Sequence, residues 1–204
     1  MIHLPERVIA VDFETTGLVS AYDSPMGFAA VLFDGGTPTG ERYTVRITPS
    51  SRTKISIEAL GVQAGVNPGH ALAQHVAKLF PEDAVTTQEA VKGLADWSKG
   101  VDGENLPCIA QKASFDWAFY SDSFLRCTTA YTVPPLGPVW ICTKSLARLL
   151  DPKARSVSLD ALAVAYGLEG RQATGHDAME DAVLCGRVYF ALRHEAIERG
   201  LAVG

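Results

Sequence analysis

Two acids stand two residues apart in Val8-Ile9-Ala10-Val11-Asp12-Phe13-Glu14-Thr15-Thr16-Gly17. Val8, Ile9 and Val11 are strand formers, and the run ends at a glycine-containing turn. Side chains on a strand alternate between its faces. The carboxylates of Asp12 and Glu14 therefore point to one side, and Ile9, Val11 and Phe13 to the other. Two carboxylates side by side at the end of an apolar strand repel each other and lose hydration. A divalent cation offsets both costs, and hard oxygen ligands of this kind suit Mg²⁺ or Mn²⁺. The plain alternative is a solvated strand end that helps to start a turn.

Near the other end of the chain, His176 and Asp181 are five residues apart. On one continuous helix they would diverge by roughly 140°. A helix start at Asp177 removes that difficulty, because Asp177 and Glu180 have the spacing of a capping box. His176 then lies in the loop before the helix and Asp181 at the end of its first turn, so both can face one cleft. Gly175 leaves the backbone free to aim the imidazole. The helix N-terminus favours negative charge, in a side chain or in a phosphate. A further acid, Asp116, lies in Ala113-Ser114-Phe115-Asp116, where Ser114 can cap a short helix.

The elements that must carry these residues follow from the pattern. Gly27–Phe33 reads as a buried strand, Asp34–Gly40 as turn chemistry, and Arg42–Ile47 alternates as a half-exposed strand. With the first strand these form an antiparallel meander. Ser56–Leu60 and the segment holding Leu72, Val76 and Leu79 suggest helices. Thr86 and Glu89 form a second capping box, ahead of a helix with Val91, Leu94 and Trp97 or Ser98 on its apolar face. Leu106–Ala110 and Val139–Cys142 are short apolar runs of strand type. Helices capped by Thr143 and by Ser158 follow, the second ending at Gly167, and the last carries the stripe Leu184, Val188, Leu192. The expected fold class is α/β, a mixed five-stranded sheet of one antiparallel meander and two parallel strands, flanked by helices.

Composition narrows the function classes. The chain has 204 residues and a formal charge of −5, which argues against a large non-specific grip on duplex phosphates. A local cation site can still attract a phosphate. Cys108, Cys127, Cys142 and Cys185 lack zinc-site spacing and read as reduced thiols. There is no apolar signal core and no run near the ~20 apolar residues of a membrane span. A single domain over residues 1–204, cytoplasmic and without a membrane partner, is expected. The chain ends soon after its last apolar stripe, so no long tail for docking on a polymerase is expected.

Asp12-Phe13-Glu14-Thr15-Thr16-Gly17, Ala113-Ser114-Phe115-Asp116 and His176-(four residues)-Asp181 together resemble the three motifs of the DEDDh (DnaQ-like) family. These are proofreading-type 3′–5′ exonucleases on a ribonuclease H-like fold. The resemblance runs from about Val8 to Leu192, and extends to Ile141–Ala147 and Ser158–Leu162. A sister group places Tyr four residues before the last Asp. Asp177 stands there in this chain, so the His branch fits.

The resemblance implies a role for each position. Asp12, Glu14 and Asp181 would hold one divalent cation, Mg²⁺ or Mn²⁺, and Asp12 and Asp116 a second. Two such ions ~3.5–4 Å apart stabilise the attacking and leaving oxygens of a phosphodiester. His176 would be the general base, since its unperturbed pKa lies near 6.5. Thr15, Thr16, Gly17, Leu18 and Phe115 would meet the terminal nucleotide, although core packing suits Leu18 and Phe115 as well. Trp117, Phe119 and Tyr120 read as core rather than as base-stacking groups.

Family members often carry His-Asn where this chain has Gln111-Lys112, and Lys112 reads as solvated. The implied substrates are 3′ ends of single-stranded DNA or RNA, with DNA favoured, and the implied products nucleoside 5′-monophosphates. An exoribonuclease or oligoribonuclease of the same fold, or a non-catalytic nucleic-acid-binding module, is the alternative. A polymerase or a replication or repair system is a compatible partner. The sequence leaves the oligomeric state open.

Overall fold

A computed structural model describes residues 1–49, 82–127, 135–171 and 176–203. The helices expected at Ser56–Leu60 and around Leu72–Leu79, and the role expected of Gly175, lie outside the described residues.

The described strands are β1 (Ile2–His3), β2 (Arg7–Thr15), β3 (Pro25–Asp34), β4 (Thr37–Arg46), β5 (Cys108–Ala110), β6 (Trp140–Cys142) and β7 (Ala202–Val203). The helices are α1 (Thr87–Val101), α2 (Ala113–Phe119), α3 (Thr143–Leu150), α4 (Leu159–Ala165) and α5 (Ala178–Glu198). A run of wider π-type turns, Tyr120–Leu125, prolongs α2. Five strands form one sheet in the order β4-β3-β2-β5-β6. β2–β3 and β3–β4 are antiparallel; β2–β5 and β5–β6 are parallel. The expected mixed ribonuclease H-like sheet is present. The short parallel pair β1–β7, which joins the two ends of the chain, was not foreseen, because two-residue strands leave no periodic signal.

The meander is tighter than the turn composition suggests. β4 begins at Thr37, and only Gly35 and Gly36 close the hairpin, both with positive φ (55° and 89°). Two successive left-handed residues match the twist of the strands they join.

β2 has the sheet's central place, and its alternation sorts the protein into two cores. Val8 and Ala10 pack with Ala29, Val31 and Phe33 beneath α3, α4 and α5. Ile9, Val11 and Phe13 pack with Phe28, Ala30 and Leu32 against α1 and the aromatic residues of α2 and its extension. Asp12 and Glu14 continue the Val8–Ala10 row, so they emerge on the α5 side. They stand beyond the last β5 pairing, Ala10 with Ile109. The site thus opens at the carboxyl ends of the parallel strands, where ligand crevices of α/β sheets form.

Helix starts follow the capping signals in three of five cases. Thr86 and Glu89 make a reciprocal capping box on α1, Ser158 accepts from Ala161 N–H on α4, and Asp177 accepts from Met179 and Glu180 N–H on α5. Ser114 does not cap α2, which starts one residue earlier after Lys112. Thr143 is not a cap either, but the first residue of α3. Its hydroxyl is drawn inward to Gln111 Oε1 at 2.6 Å.

α5 lies close over β2 and β3 because Gly186 allows it. A Cβ at Gly186 would stand 2.2 Å from the Phe33 ring, which also stacks on Phe190. This contact sets the height of α5 above the sheet, and with it the height of Asp181. Gly186→Ala is expected to cost about 1–3 kcal/mol by overpacking. Thermal melts would record this as a fall in Tm of about 2–4 °C per kcal/mol; an unchanged Tm would show that Phe33 moves aside freely.

Candidate active site

Asp12, Glu14, Phe115, Asp116, His176 and Asp181 line one cleft of about 440 Å³, together with Gln111, Lys112, Lys144, Asp160 and Arg171. Residues separated by more than 150 positions in sequence are brought together by three elements: β2, α2 and the start of α5. Asp116 is 3% exposed, and its Oδ1 accepts the Phe13 N–H at 3.3 Å. That bond ties the first turn of α2 to the acid-bearing end of β2. Asp181 is 4% exposed and follows the Asp177 cap by four residues, as the spacing required. Its Oδ2 lies 2.9 Å from His176 Nδ1.

The carboxylates sit where charge is costly. Burial raises the pKa of Asp12 well above the ordinary carboxylate value, and repulsion from Asp116, Glu14 and Asp181 raises it further, with Arg171 as a partial offset. Burial likewise pushes Asp116 up to about 7, against the opposing pull of the Phe13 N–H. His176 is raised chiefly by its hydrogen bond to Asp181. Carboxylates that resist ionisation in each other's company are what a cation site looks like without its cation. Ligand atoms of Glu14, His176 and Asp181 lie within 4.8 Å of one another, close enough to share one ion. The donor set, carboxylate oxygens with one imidazole, suits Mg²⁺ or Mn²⁺.

The residues that follow the first motif lie elsewhere. Thr15 and Thr16 are buried, and their hydroxyls hold the loop that follows β2. Thr15 Oγ1 donates to Gly17 O at 2.6 Å, and Thr16 Oγ1 accepts from Ser24 N–H at 2.9 Å. Gly17 packs against the Asp23 carboxylate, which a Cβ would meet at 2.4 Å. The hydroxyls of Thr15 and Thr16 thus have partners within the loop. Leu18 is not folded onto the core: it is 81% exposed, beside the exposed Val19 and Tyr22.

Around α2, Phe115 is half-buried, lining the cleft while packing on Phe119 at 4.9 Å. Phe119 and Tyr120 are fully buried, whereas Trp117 is partly exposed against Trp140. Lys112 is exposed, as expected. It lines the cleft with its ammonium over the Phe115 ring, 5.6 Å from the centroid.

Gln111, Lys144, Asp160 and Arg171 line the cleft without having been given a site role from the sequence. Gln111 donates to Val157 O at 2.7 Å and accepts from Thr143, clamping the end of β5 to α3 and to the approach of α4. Lys144 reaches the cleft from the first turn of α3. Arg171 makes a two-point contact with Asp181, through Nε to Oδ1 and Nη2 to Oδ2, and its Nη1 reaches Asp160 at 3.0 Å. An arginine in a short Gly-Arg-Gln stretch carries no periodicity or motif, and its only sequence signal is that it precedes His176 by five residues.

No family model matches the chain. It is 26% identical to the PolC-type DNA polymerase III of Oceanobacillus iheyensis over 203 residues, 97% of this chain but 12% of that protein. It is 28% identical to DNA polymerase III subunit epsilon of Escherichia coli K12, over 91% of this chain and 71% of that protein. Among solved structures it is similar to an Exonuclease I from Methylocaldum szegediense, with TM-score 0.67 and 19% identity over 92% of this chain and 40% of that one. It is also similar to E. coli Exonuclease I in complex with a dT13 oligonucleotide, with TM-score 0.67 and 17% identity over 96% of this chain and 43% of that one. The chain thus spans about an eighth of the PolC-type relative and under half of the Exonuclease I chains. Its three acid-bearing motifs and these relatives make it similar to the DEDDh (DnaQ-like) exonucleases, and the solved neighbours share its ribonuclease H-like fold.

Proposed function

We propose that residues 1–204 form one metal-dependent 3′–5′ exonuclease unit. It hydrolyses phosphodiester bonds from the 3′ end of single-stranded nucleic acid, DNA in preference to RNA, and releases nucleoside 5′-monophosphates. The observation that carries this reading is the convergence of Asp12, Glu14, Asp116 and Asp181 with one imidazole in a single cleft. E. coli Exonuclease I, of similar fold, has been solved with dT13 and dA16 oligonucleotides, which supports the choice of single-stranded DNA. The polymerase III names of the sequence relatives support a replicative polymerase as partner. Unbridged cysteines, and the lack of any described helix long and apolar enough to cross a membrane, support a cytoplasmic setting.

In this reading Asp12, Glu14 and Asp181 would hold one divalent cation, Mg²⁺ or Mn²⁺, and Asp12 with Asp116 would hold a second. When bound, such ions lower the pKa of water and stabilise charge on the attacking and leaving oxygens. The Phe13 N–H orients Asp116, and the Asp177 cap orients Asp181. With His176 Nδ1 turned to Asp181, Nε2 is the nitrogen left to accept a proton from the attacking water. Thr15, Thr16, Gly17 and Leu18, the last exposed early in the loop after β2, would lie towards the terminal nucleotide, and Phe115 would meet its sugar or base inside the cleft.

End-labelled single-stranded DNA and RNA, digested in parallel with Mg²⁺, Mn²⁺ or chelator, test the reading directly. A 3′-initiated ladder only with metal, faster on DNA, is expected. Cutting of closed circular strands would point to an endonuclease, and faster RNA digestion to the exoribonuclease alternative. His176→Ala is expected to lower kcat about 10²–10⁴-fold, and to remove the acidic limb of the pH–rate profile. A wild-type rate would take the general-base role from His176.

Metal-free stability should follow the shifted acids. Asp12 and Asp116 have folded pKa values above their unfolded ones, so the native state holds more protons than the unfolded state at intermediate pH. Stability then falls as pH rises from about 4 towards 7. His176, also raised in the folded state, adds a loss of the same sign at the upper end. Thermal melts in chelator should show this decline, and millimolar Mn²⁺ should cancel it. Asp12→Asn should abolish cleavage yet raise the metal-free Tm near neutral pH, by about 2–4 °C for each kcal/mol of repulsion removed. A lower metal-free Tm for this variant would mean that the acids are not mutually repelling.

A further inference from the structure

Arg171 is a cation of the cleft that sits directly on one of its carboxylates. Its side chain is 16% exposed, and it engages both oxygens of Asp181. Asp181 is also the carboxylate that pairs with His176, and in the reading above it is a cation ligand. A guanidinium forked on a carboxylate covers the lone pairs that a metal ion would use. Arg171 and a divalent cation therefore cannot both take Asp181 in full. The third arm of the fork, Nη1, is held by Asp160, which is 61% exposed at the first turn of α4. Arg171 thus has a second partner at the cleft rim that a cation on Asp181 leaves untouched.

We propose that Arg171 is a built-in counter-ion exchanged for the divalent cation. Without metal, it neutralises Asp181 and eases the charge on Asp12. When the cation takes Asp181, the guanidinium yields it and stays at the rim on Asp160. Its freed Nε–H and Nη2–H then face the cleft as donors for a phosphate oxygen of the incoming strand. Arg171 is in this sense a positioning residue: it links cation loading to strand grip and takes no part in proton transfer. The inference rests on the cation reading of the site.

The test is Mn²⁺ binding to the 204-residue chain without nucleic acid, by calorimetry, joined to melts with chelator and with saturating Mn²⁺. Arg171→Ala should bind Mn²⁺ about tenfold more tightly than wild type, since a charge-assisted two-point contact no longer competes. Its Tm should fall in chelator, and the deficit should shrink with Mn²⁺. Arg171→Lys keeps the charge but loses the fork; it should also bind Mn²⁺ more tightly, by a smaller factor. It carries the test if the alanine variant does not fold. Equal or weaker Mn²⁺ binding by Arg171→Lys, or by a folded Arg171→Ala, overturns the exchange. A Tm deficit as large with Mn²⁺ as without would also overturn it, since it would mark a purely structural arginine. Wild-type protein that takes up no Mn²⁺ overturns the cation reading itself and the exchange with it; wild-type uptake with unchanged variants overturns the exchange alone.

Discussion

Mutual repulsion among buried carboxylates is the constraint around which this structure is arranged. Asp12 lies at the carboxyl end of the central strand with Glu14, Asp116 and Asp181 close enough to oppose its ionisation. A fold left to maximise its own stability would scatter these acids or pair each with a basic residue. Here the pairing is partial: Phe13 N–H steadies Asp116, and Arg171 and His176 steady Asp181. The start of α5 adds the favourable field of a helix N-terminus. Together these contacts moderate the repulsion without removing it, and the site keeps an affinity for positive charge that no protein group uses up.

Close packing beneath the site gives this tension a rigid support. Phe33 sits under Gly186 with no room for a methyl group, so α5 cannot rise from the sheet without opening the core. On the other face, Phe13, Phe28 and Phe124 pack ring against ring, with centroids 4.6 to 5.2 Å apart. The strand carrying the acids is therefore clamped from both sides. Its carboxylates cannot relieve their repulsion by backbone drift, since interiors packed to this density yield little.

How much of this was legible in the sequence depended on whether the signal was local. Asp12 and Glu14 share a face because strand period is two, and that holds whatever surrounds them. Asp177 caps α5 because an aspartate before a helix satisfies its own N–H groups, so the aim of Asp181 could be read from four residues. Ser114 and Thr143 failed as caps for a tertiary reason. The N-cap of α2 falls at Lys112, two positions before Ser114, and Gln111 draws the Thr143 hydroxyl into the interior. The loop bonds of the Thr15 and Thr16 hydroxyls, to Gly17 O and from Ser24 N–H, were not legible from the motif. Arg171 was illegible altogether, since its meaning is a contact with a carboxylate ten residues away and another eleven away.

The charge around the cleft also orders the events of binding. Among the described residues that line it, Asp12, Glu14, Asp116, Asp160 and Asp181 face Lys112, Lys144 and Arg171. With the acids ionised, the negative groups outnumber the positive ones, so the cleft without cations repels a phosphodiester strand. Two divalent ions, as proposed, would reverse that sign. The two lysines, one from the start of α2 and one from the start of α3, would then stand beside an electropositive floor instead of an acidic one. Bound cations become the dominant local charges in such a site. Under the proposed function, a protein whose net charge is −5 would take up a polyanion at one place once the cations are bound. Strand binding before cation loading would place like charges together in a partly buried cleft, where screening by salt is weakest.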